Sequence, residues 1–145
     1  MNNHRKDKLT KTLAIVGTLL VWFPILAPII LTMLFLFKSG MFRFDYLMPA
    51  ELFLFALVGG IVLVWAAYRA GTLLKLVAWS LGIATGMLIG TQGLAVVTGL
   101  ASGETEPEGT PMILVITVYI FFLVMLVVTG ISGLLLVRDL TRGEP

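Results

Sequence analysis

The sequence predicts an all-α integral membrane protein, a bundle of four transmembrane helices with both termini in the cytoplasm. Of its 145 residues, 59% are hydrophobic and only 12% are charged, whereas about 25% of the residues of a soluble domain are charged. Four apolar runs each reach the roughly 20 residues that a helix needs to cross about 30 Å of hydrocarbon. At this length, residues 1–145 are predicted to form a single domain.

The four runs are predicted to be helical spans at about residues 12–37, 49–68, 73–100 and 112–137. None shows the alternation of apolar and polar residues over about 10 positions that membrane β-strands require. A backbone inside hydrocarbon must satisfy its own hydrogen bonds, which leaves helices. The first run exceeds the 7 to 15 apolar residues of a signal peptide, so we interpret it as a retained span.

The orientation follows from the basic residues between the spans. Eight of the ten Lys and Arg fall in the N-terminal tail, the short connection between spans two and three, and the C-terminal tail. The other two fall between spans one and two. Basic residues are enriched in cytoplasmic loops, so we expect cytoplasmic termini and a location in the plasma (inner) membrane.

The connection at residues 102–111 is expected to be an exposed outer loop. It holds Glu104, Glu106 and Glu108 together with two prolines and two glycines, a composition that disfavours regular structure. A weak divalent-cation site is the alternative interpretation, and a solvated acidic loop is the simpler one.

The composition argues against cofactor chemistry. The chain has no cysteine, and its one histidine, His4, lies in the charged tail, so disulfides, iron–sulfur clusters and zinc sites are not expected. No histidine or lysine lies at membrane depth to activate a nucleophile. We therefore predict no cofactor, no metal site, no nucleic-acid partner and, on balance, no enzymatic activity.

A stripe of small residues marks span three. Gly82, Gly86 and Gly90 recur every four residues, and glycines at this spacing let another helix approach closely in lipid. Span three is therefore predicted to be the main site of helix packing, with a wall of a pore or lipid path as the alternative. Gly130 and Gly133 in span four permit a second close contact.

Two polar residues lie beside this stripe. Thr85 and Gln92 are seven residues apart and share one face of the helix, so both are expected to face protein, whereas Leu88 is expected to face lipid. Gln92 is interpreted as the donor of an interhelical hydrogen bond, worth about 0.6 kcal/mol on average. A contact to a substrate or ion is the alternative.

Span one contains Pro24 and Pro28, which remove two backbone donors. The carbonyls of Leu20 and Pro24 then lack their usual partners four residues later, and the helix is expected to kink. Transporters use such breaks as binding sites, but prolines are also common in membrane helices whose freed carbonyls find other partners.

The remaining candidate is Glu51, near the start of span two. With Pro49 at the first helical position, Glu51 occupies the third, where a carboxylate interacts favourably with the positive end of the helix dipole. The alternative role is a protonatable carboxylate at the outer end of a transport route. Lys38 and Arg43 are available as ionic partners, which favours the structural role.

Two functional hypotheses remain open. The first is a non-enzymatic protein that acts by helix packing, either with copies of itself or as an accessory subunit of a larger membrane complex. The second is a small oligomeric transporter or channel whose polar route includes Glu51, Thr85, Gln92, Pro24 and Pro28. The lipid bilayer is an expected partner in both.

Overall fold

A computed structural model describes residues 2–39, 50–103 and 109–142. These residues form α1 (Asn2–Ser39), α2 (Ala50–Ala70), α3 (Leu74–Val97) and α4 (Gly109–Arg142). The prediction of an all-α chain with four long helices is confirmed. Each helix is long and apolar enough to cross a membrane, which indicates an integral membrane protein. The predictions on Arg43, Pro49 and the three glutamates at 104, 106 and 108 lie outside the described residues.

The helix ends differ from the predicted spans by a few residues. α1 begins at Asn2, well before the apolar run, and it continues without interruption through Pro24 and Pro28. α3 ends at Val97, where Gly99, with a φ of 72°, turns the chain. α4 begins at Gly109, so its proline at position 111 falls in the first turn, where no intrahelical donor is lost.

The connection between α2 and α3 is tight. The N–H of Gly71 donates to the carbonyl of Ala67 at 2.9 Å, and the φ of Gly71 is 69°, as in the usual glycine ending of a helix. Leu73 also has a positive φ, 57°, and its carbonyl accepts a hydrogen bond from the N–H of Val77 at 3.0 Å. α2 therefore ends at this turn, and α3 begins only a few residues later.

The helices form a closed ring of neighbours. α1 packs against α2 and α4, and α3 packs against α4 and, more sparsely, against α2. Within the described ranges, α1 and α3 face each other diagonally without contact. The core between them consists mainly of small and medium apolar side chains, including Ala14, Val21, Ala56, Leu63, Ala84, Leu126 and Leu136.

Glycines allow the close contacts inside this ring. A Cβ placed on Gly59 would lie 2.8 Å from the carbonyl oxygen of Gly17, across the contact of α1 with α2. A Cβ on Gly133 would lie 2.6 Å from the Thr18 hydroxyl oxygen, and one on Gly130 would lie 3.0 Å from Nε1 of Trp22. Gly130 and Gly133 thus bring α4 against α1.

Candidate functional site

A cavity of about 210 Å³ lies between the four helices, toward the end of the bundle that is opposite the α2–α3 turn. Leu52 on α2 and Gln92 on α3 mark its far end, each about 27 Å from the turn at a rise of 1.5 Å per residue. Among the described residues, the lining is apolar except for Gln92 and Tyr119. Every helix contributes, with α1 giving Pro24, Ile25, Pro28 and Ile29, and α4 giving Tyr119, Phe122, Leu123, Leu126 and Val127.

The sparse contact between α2 and α3 accounts for the position of the cavity. Near the turn, Gly60 lets the Leu81 side chain lie directly against α2. Farther along, Phe53 of α2 instead meets Phe122 of α4 edge to face, with ring centroids 5.5 Å apart. The space between α2 and α3 beyond Leu81 is therefore not filled by the helices themselves.

The cavity has a closed floor and an open side. Pro28, Phe53 and Phe122 are buried, whereas Ile29 and Leu123 are exposed, at 51% and 38% of their surface. Because exposed side chains from α1 and α4 stand at the rim, the cavity opens sideways from the bundle and not only toward its end.

The structure brings together three of the five residues proposed for a polar route. Pro24, Pro28 and Gln92 line the cavity. Thr85 does not, and its hydroxyl donates to the Leu81 carbonyl of its own helix at 2.9 Å. Glu51 lies in the first turn of α2, and its side chain is outside the described part of the structure.

Two expectations about α3 need correction. Leu88 does not face lipid but is half-buried and lines the cavity, because the buried face of α3, marked by Val77 and Ala84, continues through it. The side chain of Gln92 is exposed and makes no hydrogen bond within the described residues. The interhelical hydrogen bond expected of Gln92 is therefore not formed in this part of the chain.

The polar contact between helices occurs elsewhere, between α3 and α4. The hydroxyl oxygens of Thr129 and Ser80 lie 3.0 Å apart, and the Thr129 hydroxyl is also 2.9 Å from the Met125 carbonyl. Both side chains are buried. The sequence alone does not pair Thr129 with Ser80, since it carries no signal for which faces of two helices meet.

A buried indole nitrogen lies on the other side of α4. Nε1 of Trp22 is buried beside Gly130 and has no hydrogen-bond partner among the described residues. A Cβ at position 130 would approach it at 3.0 Å. Gly130 therefore provides the space that this side chain occupies.

The glycine stripe of α3 faces away from the bundle. A Cβ added to Gly82, Gly86 or Gly90 would have no neighbour within 4 Å, and the same holds for Gly93. These glycines lie opposite the buried face of α3, so the contact expected at the stripe is not made by the described residues. The close glycine contacts are those of α1, α2 and α4 described above.

The described ranges, 2–39, 50–103 and 109–142, contain no group of three or more His, Asp or Glu side chains that could hold a metal ion. The buried hydroxyls lie beside backbone carbonyls and one another, as at Thr129 and Ser80, and this arrangement provides no base for a nucleophile. No known protein family, curated protein or solved structure matches this chain.

Proposed function

We propose that this protein acts by self-association in the membrane, with the glycine stripe of α3 as the contact between copies. It is a non-enzymatic subunit, held in the plasma (inner) membrane with both termini in the cytoplasm. The observation that carries the proposal is the open space beyond Gly82, Gly86 and Gly90.

The stripe has an energetic cost that no contact with the described residues offsets. Each glycine within a helix is less favourable than alanine by about 0.5 to 1 kcal/mol. At Gly17, Gly59 and Gly133 this cost allows a close contact with a neighbouring helix. At the stripe there is no such contact, and a second copy would supply it.

The membrane favours this kind of contact. Lipid tails are as apolar as leucine side chains, so helices associate there mainly by close packing, which small residues permit. A large side chain would hold two helix backbones apart, whereas glycines at consecutive turns let them meet along several turns. The outward face of α3 has the shape that such packing requires.

Symmetry defines the contact further. Copies inserted with the same orientation have parallel α3 helices, and a two-fold axis along the membrane normal makes each residue meet its own counterpart. Gly86 lies at the middle of the stripe and is placed on this axis, with Gly82 and Gly90 on either side. Glycine repeats of this spacing typically cross at about −40°.

The test compares two bulky substitutions. Gly86→Leu inserts a side chain at the proposed axis, and the matched control Ile61→Phe adds bulk at an exposed position of α2. Overpacked contacts cost about 1 to 3 kcal/mol, so Gly86→Leu should weaken association by about fivefold or more. The dissociation constant is measured by energy transfer between labelled copies in vesicles of decreasing protein-to-lipid ratio.

The control should associate like the wild type. A wild-type protein that stays monomeric at every ratio, or a Gly86→Leu variant with an unchanged dissociation constant, would refute the proposal. A stoichiometric foreign protein that co-purifies in mild detergent and is lost in Gly86→Leu would instead identify the stripe as the contact of an accessory subunit.

A small oligomeric transporter or channel is the second candidate function. Its support is that Pro24, Pro28 and Gln92 line one cavity, with Glu51 in the adjacent first turn of α2. Uptake of a solute by reconstituted vesicles, abolished by both Gln92→Leu and Glu51→Gln, would favour this function over self-association alone. The mostly apolar lining of the cavity favours this function less, because transport of a polar solute or an ion needs a continuous polar route.

A further inference from the structure

The cavity between the four helices has the size and the lining of a site for an apolar group. Its volume of about 210 Å³ exceeds the roughly 150 Å³ apolar cavity that takes up benzene without admitting water. It is smaller than the roughly 300 Å³ at which drug-sized pockets begin. The volume therefore suits a segment of one hydrocarbon chain or a single ring.

Access to the cavity is from the side of the bundle. Ile29 of α1 and Leu123 of α4 stand exposed at its rim, while Phe53 and Phe122 close its floor. In a membrane protein this side faces the hydrocarbon of the bilayer, where lipid chains are the solvent. An empty apolar cavity would lose dispersion contacts along its lining, and a lipid chain restores them.

Gln92 is the exposed polar residue among the described lining residues, and it lies at the depth where a lipid changes from its polar head to its apolar chains. Gln92 lies about 27 Å from the α2–α3 turn, close to the limit of a hydrocarbon core about 30 Å thick. Its amide has no hydrogen-bond partner within the described residues. The ester groups of membrane lipids lie at this depth and offer carbonyl oxygens as acceptors.

We propose that the cavity binds the acyl chain of a membrane phospholipid from the leaflet at this end of the bundle. The chain enters past Ile29 and Leu123 and packs against Phe53 and Phe122. The Gln92 amide donates a hydrogen bond to the ester carbonyl at the head of the chain. The site lies on a different face of α3 from the glycine stripe and does not depend on self-association.

The experiment uses the full chain in phosphatidylcholine vesicles that contain a phosphatidylcholine with a photoreactive diazirine in its acyl chain. After illumination, lipid adducts are located by mass spectrometry of peptides. The expected result is labelling at the cavity, on residues such as Leu88 and Leu123, above that of lipid-facing residues at the same depth.

Two substitutions of one type separate the cavity from the general lipid surface. Leu88→Trp obstructs the cavity and should remove most of the labelling at Leu123. Leu54→Trp places the same side chain at an exposed position of α2 at a similar depth and should leave the labelling unchanged. Equal labelling of all exposed residues, or labelling of Leu123 that survives Leu88→Trp, would overturn the proposal.

The hydrogen bond is tested by the chemistry of the lipid. An ether-linked phosphatidylcholine lacks the ester carbonyl, so it should label the wild-type cavity about threefold less than the ester-linked lipid, the ratio expected for one average hydrogen bond in a membrane protein. Gln92→Leu should remove this difference. Displacement of the lipid by an isoprenoid quinone at equal concentration would overturn the assignment of the site to a phospholipid.

Discussion

Replacement by alanine should have opposite effects on stability at two kinds of glycine in this chain. Gly59 lies at the contact of α1 with α2, and Gly86 lies on the open face of α3. Replacing either by alanine adds one methyl group and removes the cost of a helical glycine, about 0.5 to 1 kcal/mol. Only at Gly59 does the methyl group meet another helix.

The cost at Gly59 follows from the distances. The added Cβ would lie 2.6 Å from the Leu20 Cβ and 2.8 Å from the Gly17 carbonyl oxygen, whereas ordinary contact begins at 3.4 Å. A Cβ and a carbonyl oxygen are both fixed to the backbone, so α1 and α2 must separate by roughly 0.8 Å, the difference between 2.6 Å and 3.4 Å. Overpacking of this kind costs about 1 to 3 kcal/mol, so Gly59→Ala should lower the free energy of unfolding by about 0.5 to 2 kcal/mol.

Gly86→Ala should raise the free energy of unfolding of the single chain by about 0.5 to 1 kcal/mol, because its Cβ has no neighbour within 4 Å. Both variants are measured by equilibrium unfolding in detergent, at a protein concentration where the chain is monomeric. A Gly59→Ala variant as stable as the wild type would refute the proposed tight contact of α1 with α2. Destabilisation by Gly86→Ala under these conditions would refute the outward position of the stripe.

Three further predictions concern single polar positions. Thr129→Val removes the hydroxyl that lies 3.0 Å from Ser80 and should lower the free energy of unfolding by about 0.6 kcal/mol, which a double-mutant cycle with Ser80→Ala would attribute to the pair. For the orientation, an impermeant thiol reagent applied to intact cells should label Glu106→Cys but not Lys6→Cys, and the reverse pattern would show the opposite topology. Glu51→Gln should cost only about 0.3 to 1 kcal/mol and leave association unchanged, whereas a carboxyl group that titrates above about pH 6 and disappears in this variant would show a protonatable site instead.

The number of helices and their helical structure could be predicted from the sequence, because a membrane sets a strict requirement on the length of an apolar helix. A helix must present about 20 apolar residues to cross the hydrocarbon, and four runs meet that requirement. The predicted positions of the helix ends were less accurate, since a helix can extend beyond its apolar run. α1 includes charged residues before Lys11, and hydropathy contains no signal for that extension.

The partners of each glycine could not be predicted. A spacing of four residues places Gly82 and Gly86 on one face of a helix, but it does not say whether that face meets a helix of the same chain, another chain or lipid. Gly17 and Gly59 have no such repeat within their own helices, and yet they form a close contact in the bundle. Their position in the middle of apolar runs was the only signal in the sequence.

The geometry of α3 makes self-association and lipid binding separable. At 3.6 residues per turn, Gln92 lies about 120° around α3 from Gly86, and the rim residues Ile29 and Leu123 belong to α1 and α4. A second copy seated on the stripe therefore leaves the mouth of the cavity facing lipid. A two-fold dimer would then carry two cavities on its flanks. Gly86→Leu should weaken association by about fivefold or more and preserve cavity labelling, while Leu88→Trp should preserve association and remove most of the cavity labelling. Loss of both properties in either variant would mean that the bound lipid itself bridges the two copies, which the separation of these faces on α3 argues against.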